Sequence, residues 1–415
     1  MRDVFAEDLQ AALEAKVALA PPRPNLPLVL RRGIIRRRRN RAAAVAGAVT
    51  LAASGLALPQ LDLSSRLRPP DRVAITAGVE RVGRMTVPRA AHAATLLQDG
   101  RVLLSGGFSG DTEVYYDSAE IFDPVTRTFL PTSPMSTPRT GHASVLLDDG
   151  TVLVAGGWGN DFLSSAELYD PALGLFEPTG PMGAKRDGFT ATKLRDGRVL
   201  IVGGYRSGYD TFHRSTEIYD PSTGAFTPAG NLRRARASHT ATLLRDGRVV
   251  VAGGLGPNGV VGSIEIFDPE TGTFSEGGTM TTARQKHGAV LLDTGDVLLV
   301  GGADIEDSFG RYRSAEVYDP AAGTSRSVGR MAFARFKIPS PVNLPATRKV
   351  FVAGGADTAE VYRERRRSFV PVEGALVGAQ LFPTATMLRD GSVLVTGGYD
   401  DDIQATDGAW LYTAP

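Results

Sequence analysis

The sequence predicts an all-β protein made of one sheet unit repeated seven times, and three observations carry the prediction. Gly-Gly pairs close short apolar runs at Gly106-Gly107, Gly156-Gly157, Gly203-Gly204, Gly253-Gly254, Gly301-Gly302, Gly354-Gly355 and Gly397-Gly398, a period near fifty residues. Asp-Gly dipeptides stand just upstream of most of these runs, at Asp99, Asp149, Asp196, Asp246 and Asp390. An aromatic residue followed by Asp-Pro stands downstream, with Asp at 123, 170, 220, 268 and 319. Self-similarity at this period marks one supersecondary unit that buries its faces only against its neighbours.

Each unit divides in the same way. In residues 139–182 the run HASVLL is one strand, Asp149-Gly150 a tight hairpin turn, and TVLVAGG a second strand. A variable loop (WGNDFLSS) leads to a third strand, AELYDP. Asp-Pro then opens a turn that ends at Gly174, and LFEPTGPM is the fourth strand. Seven such meanders packed radially form a β-propeller. The seventh unit has one strand after its Gly-Gly and lacks a fourth, so residues 73–82 are expected to supply it and close the ring without an exposed edge.

These motifs resemble Kelch repeats over residues 72–412. The features are the double glycine after the second strand, aromatic-Asp-Pro after the third, and an apolar fourth strand containing Phe. The sixth unit departs from the pattern, with Tyr362-Arg363-Glu364 in place of aromatic-Asp-Pro. The resemblance implies a seven-bladed propeller related to galactose-oxidase-like propellers. The copper site of those enzymes uses a tyrosine joined to a cysteine, and this chain has no Cys, so that radical cofactor cannot form.

The first seventy residues differ in kind. Phe5, Leu9, Leu13 and Val17 make one apolar stripe of a short helix, and prolines follow at 21, 22, 24 and 27. Residues 1–41 end in a dense arginine block, and 42–59 form an uncharged Ala/Val/Leu/Gly run closed by Pro59. Its length is at the short end of what spans a bilayer. The arginine bias places the N-terminus in the cytoplasm and the propeller outside, with 60–71 as linker. A cleaved signal sequence, cut near Gly55-Leu56-Ala57 and preceded by a faint twin-arginine motif at Arg31-Arg32, is a second reading. A buried Ala-rich helix is a third.

With 46 Lys+Arg against 45 Asp+Glu, the net charge of +1 argues against a globally basic nucleic-acid binder. Arg89, Arg139, Arg186, Arg236, Arg284 and Arg335 recur at the start of the first strand, and Glu120, Glu167, Glu217, Glu265, Glu316 and Glu360 at the start of the third. They are expected either to clamp each blade internally across the glycines or to ring the channel and bind an anion. His92, His142, His239 and His287 share one repeat position, which suits framework residues better than metal ligands. Loops after the second strand carry the aromatic candidates for a binding surface: Tyr115, Tyr116, Trp158, Tyr205, Tyr209, Phe309, Tyr312 and Tyr399. Asp304, Glu306, Asp307 and Asp400 to Asp402 match no calcium-loop motif.

The expected function is that of a membrane-anchored, monomeric, extracytoplasmic scaffold. It binds a protein or a cell-envelope glycan without catalysis, with no metal, cofactor or nucleic acid. Two alternatives are a carbohydrate-active enzyme at the loop face and a signalling protein acting through its N-terminal segment.

Overall fold

Alternating apolar runs and turn dipeptides give seven four-stranded antiparallel sheets in the computed structural model. It describes residues 78–414 except 111–113, 208–210, 306–310 and 379–380. The expected N-terminal stripe and the apolar run 42–59 lie outside the described residues. Among the described residues no helix is long and apolar enough to cross a membrane.

Blade 2 shows the unit, running from the channel outward. Its strands are Ala143–Leu146, Val152–Ala155, Ala166–Asp170 and Leu175–Thr179. The Asp149 carboxylate accepts the Thr151 backbone N–H at 2.9 Å, and Gly150 takes φ +91°, which an L side chain adopts at a cost. Asp170 holds the outer turn in the same way, accepting the Ala172 N–H at 2.8 Å, and Gly174 closes it at φ +68°.

The core lies between blades. Every residue of the second strand of blade 2, Val152 to Ala155, is buried. Val152, Val154 and Tyr169 pack against Leu97, Leu103, Ala119 and Ile121 of blade 1. The aromatic ahead of each Asp-Pro joins this core: Tyr169 lies 4.7 Å, centroid to centroid, from Phe176, and its hydroxyl is 2.9 Å from Thr132 Oγ1 of the preceding blade. Fully burying one such side chain is worth roughly 1.5–3 kcal/mol, so stacking blade on blade stabilises the ring.

Blade 7 comprises Thr384–Met387, Val393–Thr396, Gly408–Thr413 and, as its outer strand, Gly78–Arg84. Gly78 pairs with Thr413 and Arg84 with Gly408, across one register shift between Arg81 and Gly83. The strand thus runs past the expected 73–82 window at its C-terminal end, and residues 73–77 lie outside the described set. Inner strand Thr384–Met387 also packs beside inner strand Ala93–Leu96, so the ring is shut at both radii. Blade 6 (Val342–Leu344, Lys349–Val352, Glu360–Arg363, Ser368–Pro371) replaces both usual turns with single 3-10 turns, Pro345–Thr347 and Glu364–Arg366.

Candidate functional site

The repeated arginines sit inside the blades. All six have 0% exposure, and the six glutamates are buried beside them. Arg139 Nη2 donates to Glu167 Oε1 at 2.7 Å, and Nη1 donates to the carbonyls of Gly156 at 3.0 Å and Ser165 at 3.1 Å. The other oxygen, Glu167 Oε2, accepts the Ser136 N–H at 2.7 Å. The same ion pair recurs at 2.9 Å for Arg89–Glu120, 2.8 Å for Arg186–Glu217, 2.6 Å for Arg236–Glu265, 2.9 Å for Arg284–Glu316 and 3.0 Å for Arg335–Glu360. Burial lowers the pKa of each guanidinium, opposed by its Glu partner. Of the two roles expected from the sequence, intrablade clamp or binding ring, these buried arginines take the geometry of the clamp. A side chain with no exposed surface has none to offer a ligand.

The four histidines join blades. His142 Nε2 lies 2.9 Å from Ser105 Oγ, His92 Nε2 2.9 Å from Thr396 Oγ1, and His239 and His287 3.0 Å each from Thr190 and Thr240 Oγ1. Each partner belongs to the preceding blade. Burial, reinforced by the neighbouring arginines, pulls the His142 and His239 pKa values down to about 3 and those of His92 and His287 well below the usual imidazole range. All four are therefore neutral at pH 7.

Two residues after each clamp arginine the backbone turns left-handed. Ala91, Gly141, Gly188, Ser238, Lys286 and Lys337 all have φ between +47° and +62°, and Phe382, at the corresponding place in blade 7, has φ +53°. These residues hydrogen-bond blade to blade: Lys337 N–H donates to the Lys286 carbonyl at 2.9 Å, Lys286 N–H to Ser238 at 3.0 Å, and Phe382 N–H to Lys337 at 2.7 Å. Across the blade 7 seam, Ala91 N–H donates to the Phe382 carbonyl at 3.1 Å. For a non-glycine residue this conformation costs roughly 1–2 kcal/mol, and the interblade bonds hold it.

All seven of these residues line one axial cavity of about 1000 Å³. Its wall includes Phe108, Tyr115, Trp158, Tyr205 and Phe382, and its charged lining residues are Asp187, Lys286, Lys337 and Asp402. Among the aromatics expected from the sequence, Tyr115, Trp158 and Tyr205 meet here. Tyr399 is buried behind the wall, 5.8 Å from Phe108 between ring centroids, and accepts a hydrogen bond from Lys337 Nζ at 3.3 Å. Tyr116 and Tyr312 lie over the clamp guanidiniums of Arg89 and Arg284, at 5.6 and 5.7 Å. Tyr209 and Phe309 lie outside the described residues. Phe108, Asp187, Lys286, Lys337 and Phe382 were missed from the sequence. Their signal was positional: each stands one or two residues after the clamp arginine or its blade 7 counterpart, or directly after a Gly-Gly.

Four stretches, residues 89–136, 138–183, 195–233 and 236–281, match the Kelch motif. The chain carries four Kelch motifs. Its Kelch propeller is similar in fold to a fungal alcohol oxidase of the AA5 family solved in complex with copper. The identity is 16% and the TM-score 0.66, over 81% of this chain and 76% of the oxidase. No curated protein matches the chain in sequence.

The residues of the Kelch propeller do not fit a copper centre. The chain has no Cys, and among the described residues no three His, Cys, Asp or Glu side chains gather closely enough to hold an ion. The four buried imidazoles each direct Nε2 to a hydroxyl at a blade seam. Asp401, from the acidic loop of blade 7, pairs with Arg311 at 2.9 Å, and Asp400 accepts the backbone N–H groups of Asp402 and Gln404 at 3.0 Å.

Proposed function

We propose that the Kelch propeller is a non-catalytic binding scaffold. It is tethered to the membrane through residues 42–59 and takes up a cell-envelope carbohydrate in its axial mouth. The observation that carries this reading is the cavity itself: about 1000 Å³, fed by all seven blades, with aromatic rings and polar or charged groups in its lining. A sugar ring has an apolar face that stacks on Trp158 or Tyr205 and hydroxyls that meet Asp187, Ser238 and the two lysines. A concave site of this volume suits a glycan segment better than a flat protein surface does.

A glycan array probed with the full chain in detergent tests the proposal. Binding that is lost in Trp158→Ala and Lys337→Ala, with melting unchanged, supports it. Binding that survives both changes places the ligand elsewhere. A carbohydrate-active enzyme is the second reading, because two carboxylates, Asp187 and Asp402, line the same cavity. Turnover of a bound glycan that stops in Asp187→Asn or Asp402→Asn would decide for it.

A further inference from the structure

We infer that an arginine cluster on the turns of blade 6 docks on the anionic headgroups of a lipid bilayer. The inference rests on the membrane tether proposed above, and its own evidence is separate. The two 3-10 turns of blade 6 adjoin and enclose a cleft of about 410 Å³ lined by Arg348, Lys349, Arg363, Arg365 and Arg366, with Glu364 as its carboxylate. Arg348, Arg365, Arg366 and Arg367 are exposed. Among the described residues none of these four has a carboxylate within ion-pair distance.

Arginines at the turns of blades 1, 3 and 4 are paired instead. Arg101, Arg198 and Arg248 stand at the same end of their sheets, and each is paired with the Asp two residues before it, at 2.7, 2.6 and 2.7 Å. Where blades 2 and 3 close the outer turn with Gly174 and Gly224, blade 6 has Arg367, left-handed at φ +51°, and Arg348 adopts the same φ in the adjoining turn. Blade 1 also closes its outer turn with a left-handed arginine, Arg127 at φ +57°, but that guanidinium is paired with Glu80 at 2.8 Å; blade 6 combines the strained backbone with clustered cations that have no such partner. A surface of negative charge relieves the repulsion.

The chain's path selects the bilayer as the source of that charge. Gly78 opens the outer strand of blade 7 opposite Thr413, at the turn end of the sheet, so the preceding chain joins the propeller at this face, one blade from the cluster. Seventeen residues of uncharged sequence lie upstream at 42–58. The tether proposed above would hold the propeller near lipid headgroups.

The full chain reconstituted into phosphatidylcholine nanodiscs, with or without phosphatidylglycerol, tests this by hydrogen exchange at residues 345–349 and 363–367. Slower exchange in the anionic discs alone is expected. The combined variant Arg348→Gly, Arg365→Ser, Arg366→Ser, Arg367→Gly should abolish it while melting and glycan binding stay as they were, since glycine suits both left-handed positions. Each basic group near an anionic surface strengthens binding roughly fivefold, so the loss of four costs the variant roughly 600-fold. Equal protection in neutral discs overturns the proposal. So does equal protection by soluble glycerol phosphate, which would make the cleft a small-molecule phosphate site. A failed tether shows itself differently, as a full chain that stays in solution without detergent. Vesicles of the same two compositions then decide the docking by the same exchange pattern.

Discussion

Arg139 and Glu167 form an ion pair of 2.7 Å with side-chain exposures of 0% and 2%, and the carboxylate's second oxygen takes the Ser136 backbone N–H at 2.7 Å. One pair thus ties together three segments of a blade: the approach to its inner strand, the Gly-Gly end of its second strand and the start of its third. Arg139→Ala leaves Glu167 buried without its cation and should destabilise the propeller by about 3–5 kcal/mol. Arg139→Met with Glu167→Leu should recover much of that loss. Chemical denaturation of the two variants checks this, and a ligand-binding role for Arg139 would show instead as lost affinity at unchanged stability.

The histidine seams give the fold an acid-sensitive window. His142 and His239 have folded pKa values of about 3, below the unfolded value of about 6.5, so the unfolded chain binds the extra proton first. Their contribution is complete above pH 6.5 and is lost as pH falls toward 3, by about 1.4 kcal/mol per unit for each imidazole. Phe189 fills the corresponding place in blade 3, so His142→Phe should fold and should flatten the melting profile between pH 6.5 and 4.5. A profile as steep as that of the parent chain would refute the assignment.

Two glycines with the same backbone twist should respond differently to alanine. At Gly106, φ +62°, an added Cβ meets the Arg139 carbonyl oxygen and the His142 ring of the next blade. At Gly272, φ +68°, it meets nothing within 4 Å. Gly272→Ala should therefore cost only the conformational penalty of about 1 kcal/mol, whereas Gly106→Ala should lower soluble yield sharply or prevent folding. Expression yield and thermal melting of the pair compare them directly.

Ring closure can be tested at Val79, whose N–H donates to the Glu373 carbonyl at 2.8 Å and which pairs with Tyr412. Val79→Pro removes that donor and places a rigid ring in the outer strand of blade 7. It should open the seam and expose Gly408–Thr413 as an edge, leading to association. Sedimentation velocity should show oligomers that the parent chain does not form.

Much of the architecture was legible because turn chemistry repeats. Asp149-Gly150 and Asp170-Pro171 mark the two turns of blade 2, and the apolar run between Thr151 and Gly156 could only be a strand buried on both faces. The choice between clamp and channel ring for Arg139 was not legible. Spacing puts Arg139 and Glu167 at the same end of one sheet, but the direction of a guanidinium depends on what crosses between them. There Gly156 and Gly157 leave room, and two carbonyls accept the arginine's remaining protons.

The sequence alone determined the number of blades, the order of strands within blades 1 to 6 and the turns between them, because each of these follows from contacts made within about fifty residues. The tertiary structure decided what converges at the axis. Lys286, Lys337 and Phe382 share a mouth because a left-handed residue recurs at one place in every blade and each hydrogen-bonds its neighbour. Such meetings join residues far apart in the chain, and a local pattern holds no information about them until the ring has closed.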